Sequence, residues 1–361
     1  MKRALVISSY PAPYRVGVFG ELSKEYELDT FFDTCKNEDR NKAWFCKSGK
    51  FEFEVLDNPA ARSKFTKALT HIRRYDFVLA YDPARKPAIL AIVLCRMLGV
   101  PYFVNNDGAV IRGNPLKDAL KKFLFTGARA CFSAGASSTN YFKHYGVGPE
   151  KIYLHNFSSL YQSDILTDTI DEEKKSQIKK ELKLDNKTTF IAVGQFIRRK
   201  GFDVLLEAWQ ALDGKAQLII IGGGGERESY ERVIEQSGYQ NVKILDYMDK
   251  EALFRYYLAS DCFVLPTRED VWGLVVNEAM AVGLPVITTD RCNAGLELIE
   301  NGVNGYIVPV ENAGRLAEKM TEIADNDRMR SAMAKNNIAN IQNYTIEGIA
   351  RSHIDVITKK L

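Results

Sequence analysis

The sequence predicts an α/β protein built from two doubly wound parallel sheets. Short apolar runs such as 4–8, 77–80 and 218–221 alternate with helical patterns along most of the 361 residues, as in sheets covered on both faces by crossover helices. The chain is too long for one ordinary core, and its 46% apolar content suffices for two. We expect domains at 1–160 and 188–344, joined by a polar linker at 161–187.

In the first domain each predicted strand is followed by a loop and a helical pattern. The expected strands are Ala4–Ser8, Leu28–Phe32, Phe77–Ala80, Pro101–Val104, Ala130–Ser133 and Lys151–His155, with helices that include Val16–Lys24 and Pro87–Leu98. In the second domain the strands are T-F-I-A-V-G at 189–194, then Leu218–Ile221, Val242–Leu245, Cys262–Leu265 and Val286–Thr289. Such β-α alternation predicts parallel strands joined by right-handed crossovers.

Charge is divided unevenly between the two halves. Residues 1–160 contain 24 Lys and Arg against 15 Asp and Glu, and the remainder contains 25 against 31. A basic half favours an anionic partner such as a membrane surface or a phosphorylated lipid, although a merely solvated surface explains it equally well. Because no recognised module interleaves aromatic with basic residues, we expect no nucleic-acid partner.

Cysteine and histidine usage predicts no metal site. The six Cys and four His show neither C-x-x-C nor H-E-x-x-H spacing. The N-terminal apolar run of about five residues is too short for a signal peptide, and no segment approaches the roughly 18 apolar residues of a membrane span. We expect a cytoplasmic protein, with peripheral contact on the inner face of the plasma membrane as an alternative.

The stretch from Pro266 to Thr289 combines an acidic loop with the start of a helix. It reads P-T-R-E-D-V-W-G-L-V-V-N-E-A-M-A-V-G-L-P-V-I-T-T. Gly273 permits a tight entry into the helix, whose first amides, at Gly273, Leu274 and Val275, lack intrahelical acceptors and suit a phosphate. Glu278, one turn further along, has two acceptor oxygens for vicinal hydroxyls such as those of a ribose. A capped helix with a solvated acidic loop is the simpler alternative.

Asp270 and Glu278 form a D-x7-E pattern that resembles the E-x7-E signature of retaining glycosyltransferases of family 4, which have the GT-B fold. The following G-L-P-V-I-T-T also matches that family. The resemblance implies that Glu278 holds the nucleotide ribose, the amides of Leu274 and Val275 hold the diphosphate, and Asp270 contacts the donor sugar. It also implies two Rossmann-like domains facing across a cleft, with a last helix at 345–361 that packs back on the first.

Further donor residues follow from the same resemblance. The segment V-G-Q-F-I-R-R-K-G is similar to the family's V-G-R-x5-K-G region, which implies diphosphate contacts for Lys200 and, in place of the usual arginine, Gln195, with Arg199 supplying charge. A glycine turn near the nucleotide begins at Gly222, and the loop implied to face the base contains Tyr247 and Met248. Basic residues in a strand-to-helix loop are also common without such a role.

Two loops at predicted strand ends of the first domain supply acceptor-side candidates. Tyr14 and Arg15 lie in a proline-rich loop that a rigid turn alone would also explain. Asp107 follows another strand; the resemblance implies a catalytic or sugar-binding role, and ordinary turn chemistry is the alternative. Arg112 is a further candidate for an acceptor phosphate. The basic amphipathic segment 116–125 could lie on anionic lipid or be an ordinary surface helix.

The sequence and its resemblance to family 4 together imply a metal-independent glycosyltransferase with no required cofactor. Its donor would be a nucleotide diphosphate sugar, with uridine diphosphate as the default, and its acceptor a saccharide or lipid-linked saccharide of a capsule or O-antigen. Two rivals remain. One is a non-catalytic nucleotide-sugar-binding partner subunit, and the other is a nucleotide-sugar 2-epimerase, which the lack of a histidine-rich cleft disfavours.

Overall fold

The computed structural model describes residues 1–36, 51–108, 111 and 113–361. The chain forms two compact units, one of Met1–Tyr161 with Tyr344–Leu361 and the other of Gln162–Asn343. Arg112 lies outside the described residues.

The first unit contains a seven-stranded parallel sheet in the order β3-β2-β1-β4-β5-β6-β7. Its strands are β1 (Lys2–Ser8), β2 (Tyr26–Phe32), β3 (Glu54–Val55), β4 (Phe77–Tyr81), β5 (Tyr102–Asn106), β6 (Ala130–Ser133) and β7 (Ile152–Leu154). Its helices are α1 (Pro13–Leu22), α2 (Pro59–Thr70), α3 (Lys86–Leu98), α4 (Pro115–Thr126), α5 (Ala136–His144) and, from the end of the chain, α14 (Ile346–Lys360).

The second unit contains a six-stranded parallel sheet in the order β10-β9-β8-β11-β12-β13. Its strands are β8 (Thr189–Gln195), β9 (Gln217–Gly223), β10 (Val242–Leu245), β11 (Cys262–Leu265), β12 (Val286–Thr289) and β13 (Gly305–Val308). Its helices are α6 (Glu172–Glu181), α7 (Phe202–Trp209), α8 (Arg227–Ser237), α9 (Lys250–Leu258), α10 (Leu274–Ala281), α11 (Asn293–Leu298), α12 (Ala313–Ala324) and α13 (Asp327–Ile341).

Each sheet is buried on both faces, which explains the unbroken apolar strands. Leu5, Val78 and Val104 contribute to the core of the first unit, and Phe190 and Ile220 to that of the second. Near-complete burial of such side chains stabilises each by about 1.5–3 kcal/mol relative to exposure.

Residues 161–187, treated above as a linker, lie almost wholly in the second unit. They include α6, whose Lys175 and Lys179 both pair with Asp261 at 2.8 and 2.9 Å. Because Asp261 is buried at the start of the β11 segment, these pairs attach α6 to the sheet. The two cations outweigh the effect of burial and lower the pKa of Asp261.

The last helix, α14, belongs to the first unit, where it packs against α1. Ile346, at its start, is buried, and its amide donates to the carbonyl of Leu160 at 2.7 Å. No helix in the described part of the chain is long and apolar enough to cross a bilayer.

Candidate functional site

In the second unit, the loops that follow β8 and β11 are hydrogen-bonded to each other. The hydroxyl of Thr267 and the amide of Arg268 both donate to the carbonyl of Arg199, at 3.0 and 2.8 Å. The order of the sheet reverses between β8 and β11, and parallel sheets bind ligands at the carboxyl ends of their strands at such a point. The candidate donor site therefore lies at these loops.

Arg268 fixes the two loops and was not singled out from the sequence. Its guanidinium donates to both oxygens of Asp203 at 2.8 and 2.7 Å, to both oxygens of Glu311, and to the carbonyl of Arg198. All three guanidinium nitrogens are thus engaged by the protein. Arg268 is a scaffold residue, and a lone arginine in a loop gives no sequence signal of that role.

Lys200 and Asp270, both predicted as catalytic, form an ion pair. The Lys200 ammonium donates to Oδ2 of Asp270, and the two side chains are 11% and 12% exposed. Arg199 Nη1 lies 3.9 Å from the other carboxylate oxygen and donates to the carbonyl of Glu269 at 2.7 Å. Two cations thus meet one carboxylate, and one positive charge at this corner is not compensated by Asp270. Such a corner attracts an anion.

The start of α10 adds backbone donors. Gly273 adopts φ 105°, and a Cβ there would lie 2.9 Å from the sulfur of Cys292, so both the backbone angle and the space require glycine. The Val276 amide donates to the carbonyl of Gly273 at 2.8 Å. Within the described residues, the amides of Leu274 and Val275 have no acceptor, which is the arrangement that binds anions at helix starts.

Glu278 lies one turn into α10 and is oriented by a buried tyrosine. The hydroxyl of Tyr257 donates to Glu278 Oε2 at 3.2 Å. Burial and the adjacent carboxylate raise the pKa of Tyr257 well above its usual range, so the hydroxyl keeps its proton. This contact fixes one carboxylate oxygen of Glu278.

The other predicted donor residues lie at the carboxyl ends of neighbouring strands or just after them. Gln195 ends β8, and Gly222 lies in β9, where a Cβ would come within 1.9 Å of the carbonyl of Gly194. Gly222 is therefore required by strand packing. Tyr247, 52% exposed, and Met248 follow β10, which is two strands from β8 and so roughly 10 Å away. A nucleotide lying across the strand ends can bridge that distance.

In the first unit, Arg15 lies between two carboxylates at the ends of β4 and β5. Its guanidinium forms two hydrogen bonds to Asp82 and one to Asp107 at 2.9 Å, and it also donates to Ser8. Arg15 is only 6% exposed. An acceptor phosphate would have to displace one of these carboxylates, so the geometry assigns Arg15 to holding Asp82 and Asp107 rather than to an open acceptor site.

Tyr14 belongs to the same cluster. Its hydroxyl donates to Asp107 Oδ2 at 3.3 Å and accepts from Arg15 Nε at 3.2 Å. Burial, outweighing the nearby arginine, raises the pKa of Tyr14 above its usual range. Tyr14 therefore keeps its proton next to Asp107.

The two carboxylates that share Arg15 differ in their affinity for a proton. Although burial alone would raise it, Arg15 and the Ser9 hydroxyl lower the pKa of Asp82. Burial raises the pKa of Asp107, the Asp82 charge adds to that rise, and Arg15 opposes it. Environments that separate two carboxylates in this way are typical of sites that use one as an ion and the other as an acid.

Asp82 and Asn105 escaped the sequence analysis. Asp82 follows the buried strand β4 in Y-D-P and adopts φ 52°, a conformation that Asp tolerates better than most residues. An acidic residue directly after an apolar strand was the sequence signal that could have identified Asp82.

No group of three or more His, Cys, Asp or Glu that could hold a metal occurs among the residues that the structure describes.

Comparison with known proteins identifies the second unit. Residues 173–339 match the family model of glycosyl transferases group 1. This segment is a group 1 glycosyltransferase domain. This domain contains all the donor-site residues predicted from the sequence, and it confirms the expected glycosyltransferase class for the matched segment. Assignment to the retaining family 4 stays a prediction.

Two curated relatives of this chain are named as sugar transferases. A Streptomyces kanamyceticus alpha-D-kanosaminyltransferase is 28% identical over 178 residues, which are 48% of this chain and 46% of that protein. The chain thus spans about half the length of this relative. A second relative, from Campylobacter jejuni, is an N,N'-diacetylbacillosaminyl-diphospho-undecaprenol alpha-1,3-N-acetylgalactosaminyltransferase. It is 24% identical over 322 residues, which cover 86% of this chain and 83% of the relative.

The fold matches over the whole chain. The crystal structure of Anabaena HepE in complex with UDP superposes with a TM-score of 0.82 at 17% identity, covering 99% of this chain and 100% of the other. The same protein has been solved with UDP-glucose. The predicted GT-B fold, with two parallel-sheet Rossmann-like halves, is confirmed.

Proposed function

We propose that this protein is a retaining glycosyltransferase that uses a UDP-sugar and extends a saccharide or lipid-linked saccharide of a cell-surface polysaccharide. The group 1 domain supports the enzyme class, and HepE was solved with UDP and with UDP-glucose. The Campylobacter relative is named for a diphospho-undecaprenol acceptor, which supports a lipid-linked one here.

The observation that carries the proposal is the convergence of Lys200, Arg199 and the start of α10 at one corner of the second sheet. Cleaving the donor's glycosidic bond builds negative charge on the leaving diphosphate. Fixed cations and the amides of Leu274 and Val275 can stabilise that charge without reorganising, the form of electrostatic catalysis that contributes most in many enzymes. The leaving group would thus be bound by protein groups, and the proposal requires no metal or other cofactor.

The remaining roles follow from position. Glu278 would accept from the ribose hydroxyls, while Tyr247 and Met248 would lie against the base. Gln195 and Gly222 would border the diphosphate. Asp270, held by Lys200, would contact the donor sugar and keep the ammonium aimed at the phosphates.

In the first unit, Asp107 and Tyr14 would form the acceptor side, with Asp107 as its catalytic group, and Arg15 would hold the carboxylates of Asp107 and Asp82 in place. In a retaining reaction the acceptor hydroxyl attacks from the side of the leaving group and gives up its proton there. A diphosphate oxygen is a suitable base for that proton.

The test is turnover of a panel of UDP-sugars by the purified protein with membrane lipid extract as acceptor. We expect UDP release that depends on the acceptor, with the donor's anomeric configuration retained in the product by NMR. Lys200→Met should lower turnover at least 100-fold, whereas Lys215→Met, at an exposed lysine of the same unit, should not. Equal turnover by Lys200→Met would refute the proposed site.

The same assay separates the rivals. UDP-sugar binding without turnover for any acceptor would indicate a nucleotide-sugar-binding subunit. Epimerised donor formed without acceptor would indicate a 2-epimerase.

We also propose peripheral contact between α4 and an anionic membrane. Leu116 is 86% and Phe123 42% exposed on this helix, and Lys117 and Lys122 are exposed beside them. Apolar side chains flanked by lysines bind anionic interfaces. Sedimentation with phosphatidylglycerol vesicles, but not with phosphatidylcholine vesicles, is expected, and Leu116→Gln with Phe123→Gln should abolish it.

A further inference from the structure

A buried chain of hydrogen bonds connects Asp107 to the last helix. Asn105 Nδ2 lies 2.6 Å from Asp107 Oδ1, and Asn105 Oδ1 lies 3.2 Å from His353 Nε2. The other ring nitrogen of His353, Nδ1, is 2.9 Å from the carbonyl of Ile349, and the hydroxyl of Tyr81 is 3.1 Å from Nε2. Asn105 and His353 are fully buried, so other groups of the protein must satisfy their hydrogen-bond donors and acceptors.

To satisfy all of these hydrogen bonds, the network needs one more proton than a neutral His353 and an ionised Asp107 provide. A neutral imidazole carries a single N–H. If His353 Nε2 donates to Asn105, then Nδ1 carries no hydrogen, and its lone pair faces that of the Ile349 carbonyl oxygen. If Nδ1 donates to Ile349, the hydroxyl of Tyr81 can donate to Nε2, but the oxygen of Asn105 then faces the Nε2 lone pair instead of a donor.

One added proton removes the conflict in either of two places. On His353, the imidazolium donates to both Asn105 and Ile349, and Asn105 donates to the ionised Asp107. On Asp107, the carboxyl donates to Asn105 Oδ1, the turned amide of Asn105 donates to His353 Nε2, and Nδ1 donates to Ile349. The two amide orientations fill the same space. The hydroxyl of Tyr81 can accept from His353 Nε2 in the first arrangement and donate to it in the second.

The surroundings favour the second arrangement. His353 stacks on Phe132 with ring centroids 3.8 Å apart, and the ring of His155, another ionisable group, lies 5.2 Å from that of His353. Burial holds the pKa of His353 well below its usual range.

Asp107 faces Arg15 and the hydroxyl of Tyr14, with the ionised Asp82 on the far side of the guanidinium. Burial raises the pKa of Asp107. Placing the proton on Asp107 therefore avoids an imidazolium in an apolar environment and two carboxylates competing for one arginine.

We propose that Asn105 and His353 are positioning residues that keep a proton on Asp107, so that α14 completes the site of the first unit. The role of Asp107 in turnover rests on the proposed function, whereas the placement of the proton does not. The neutral carboxyl keeps Oδ2 as an acceptor for Arg15 and Tyr14.

The protonation states can be measured directly on the intact 361-residue chain. We expect the nitrogen NMR shifts of His353 at neutral pH to show a neutral ring protonated on Nδ1. We expect difference infrared spectra with labelled aspartate to show a protonated carboxyl that is absent in Asp107→Asn. An imidazolium, a ring protonated on Nε2, or a spectrum without that carboxyl band would overturn the proposal.

His353→Phe tests the coupling, because it keeps a ring against Phe132 but removes the acceptor for the Asn105 amide. Asn105 is then free to donate to Asp107 and favours its ionised form, so the carboxyl band should titrate about one pH unit lower. His353→Gln supplies an acceptor again and should restore the wild-type titration. Ser352→Ala, at the adjacent residue of α14, is the matched control and should titrate as the wild type does.

In turnover, the high-pH limb of kcat for His353→Phe should move down by the same amount. Loss of turnover in all proteins together with the expected spectra would remove the proposed function and leave the proton placement intact. An unmoved titration in a folded His353→Phe protein would overturn the coupling.

Discussion

The ammonium group of Lys200 donates a hydrogen bond to the carboxylate of Asp270, seventy positions further along the chain. The residue proposed to bind the diphosphate and the residue proposed to contact the donor sugar therefore form one ion pair. Because Arg199 approaches the other carboxylate oxygen, an incoming diphosphate does not have to strip Asp270 of every partner. Lys200 can therefore contact the donor diphosphate while it stays paired with Asp270.

This pairing predicts strong coupling in a double-mutant cycle. Lys200→Met leaves Asp270 largely buried without its main partner and should lower the free energy of unfolding by about 2 kcal/mol, since an abandoned charged partner costs more than a lost surface pair. Asp270→Asn should cost a similar amount. The double variant should lose less than the sum of the two. Urea unfolding measures all four proteins, and strict additivity would contradict the pair.

Arg199 is predicted to recognise the phosphates rather than the nucleoside. Its guanidinium is about two-fifths exposed and lies within 4 Å of Asp270. Arg199→Ala should therefore weaken UDP binding about tenfold, because the bound diphosphate loses its interaction with the guanidinium charge. Uridine binding should be unchanged, because uridine has no phosphate. Isothermal titration with both ligands provides the measurement.

Arg198→Ala is the matched control for this prediction. Arg198 is exposed, and its backbone carbonyl, which accepts from Arg268, survives the substitution. An equal loss of UDP affinity in the two variants would indicate a general field effect rather than a contact by Arg199.

Glu278 is predicted to bind the ribose. Glu278→Gln keeps the size of the side chain but replaces one ionised acceptor oxygen with an amide, so UDP affinity should fall about tenfold. The same substitution should have little effect on 2′,3′-dideoxy-UDP, which lacks both hydroxyls. Tyr257→Phe, which removes the hydrogen bond that orients Glu278, should give a smaller loss for UDP. Equal losses for the two nucleotides would disprove the ribose contact.

The sequence predicted the second unit in more detail than the first because its site is local. Gly273, Leu274, Val275 and Glu278 lie within one helix start, where spacing along the chain fixes spacing in space. The loop containing Lys200 was recognised by the same kind of short pattern. Arg268 was missed because its partners, Asp203 and Glu311, lie 65 and 43 residues away.

In the first unit the decisive contacts are longer in sequence. Arg15 meets Asp82 and Asp107 across 67 and 92 residues, and Asn105 meets His353 across 248. Strand order brings these residues together, and alternation of strands and helices does not specify that order. From the sequence, Arg15 was therefore a candidate for the acceptor side, whereas in the fold its guanidinium is paired with the carboxylates of Asp82 and Asp107.

Burial of His155 predicts acid sensitivity. Its ring is 4% exposed, its Nδ1 has no hydrogen-bond partner among the described residues, and burial lowers its pKa to about 3. The unfolded value is about 6.5. Because the folded-state pKa is the lower one, the unfolded chain takes up the proton first, and the protein loses stability as the pH falls from about 6.5 towards 3.

His155→Phe removes this proton uptake and keeps an aromatic ring next to Phe157. Its unfolding free energy should fall less than that of the wild type over that pH range, with a difference of up to about 4 kcal/mol at the acid end. His144→Gln, at an exposed histidine, should retain the wild-type slope. Urea unfolding at pH 7, 5.5 and 4 makes the comparison, and parallel slopes for His155→Phe and the wild type would show that His155 is protonated equally in both states.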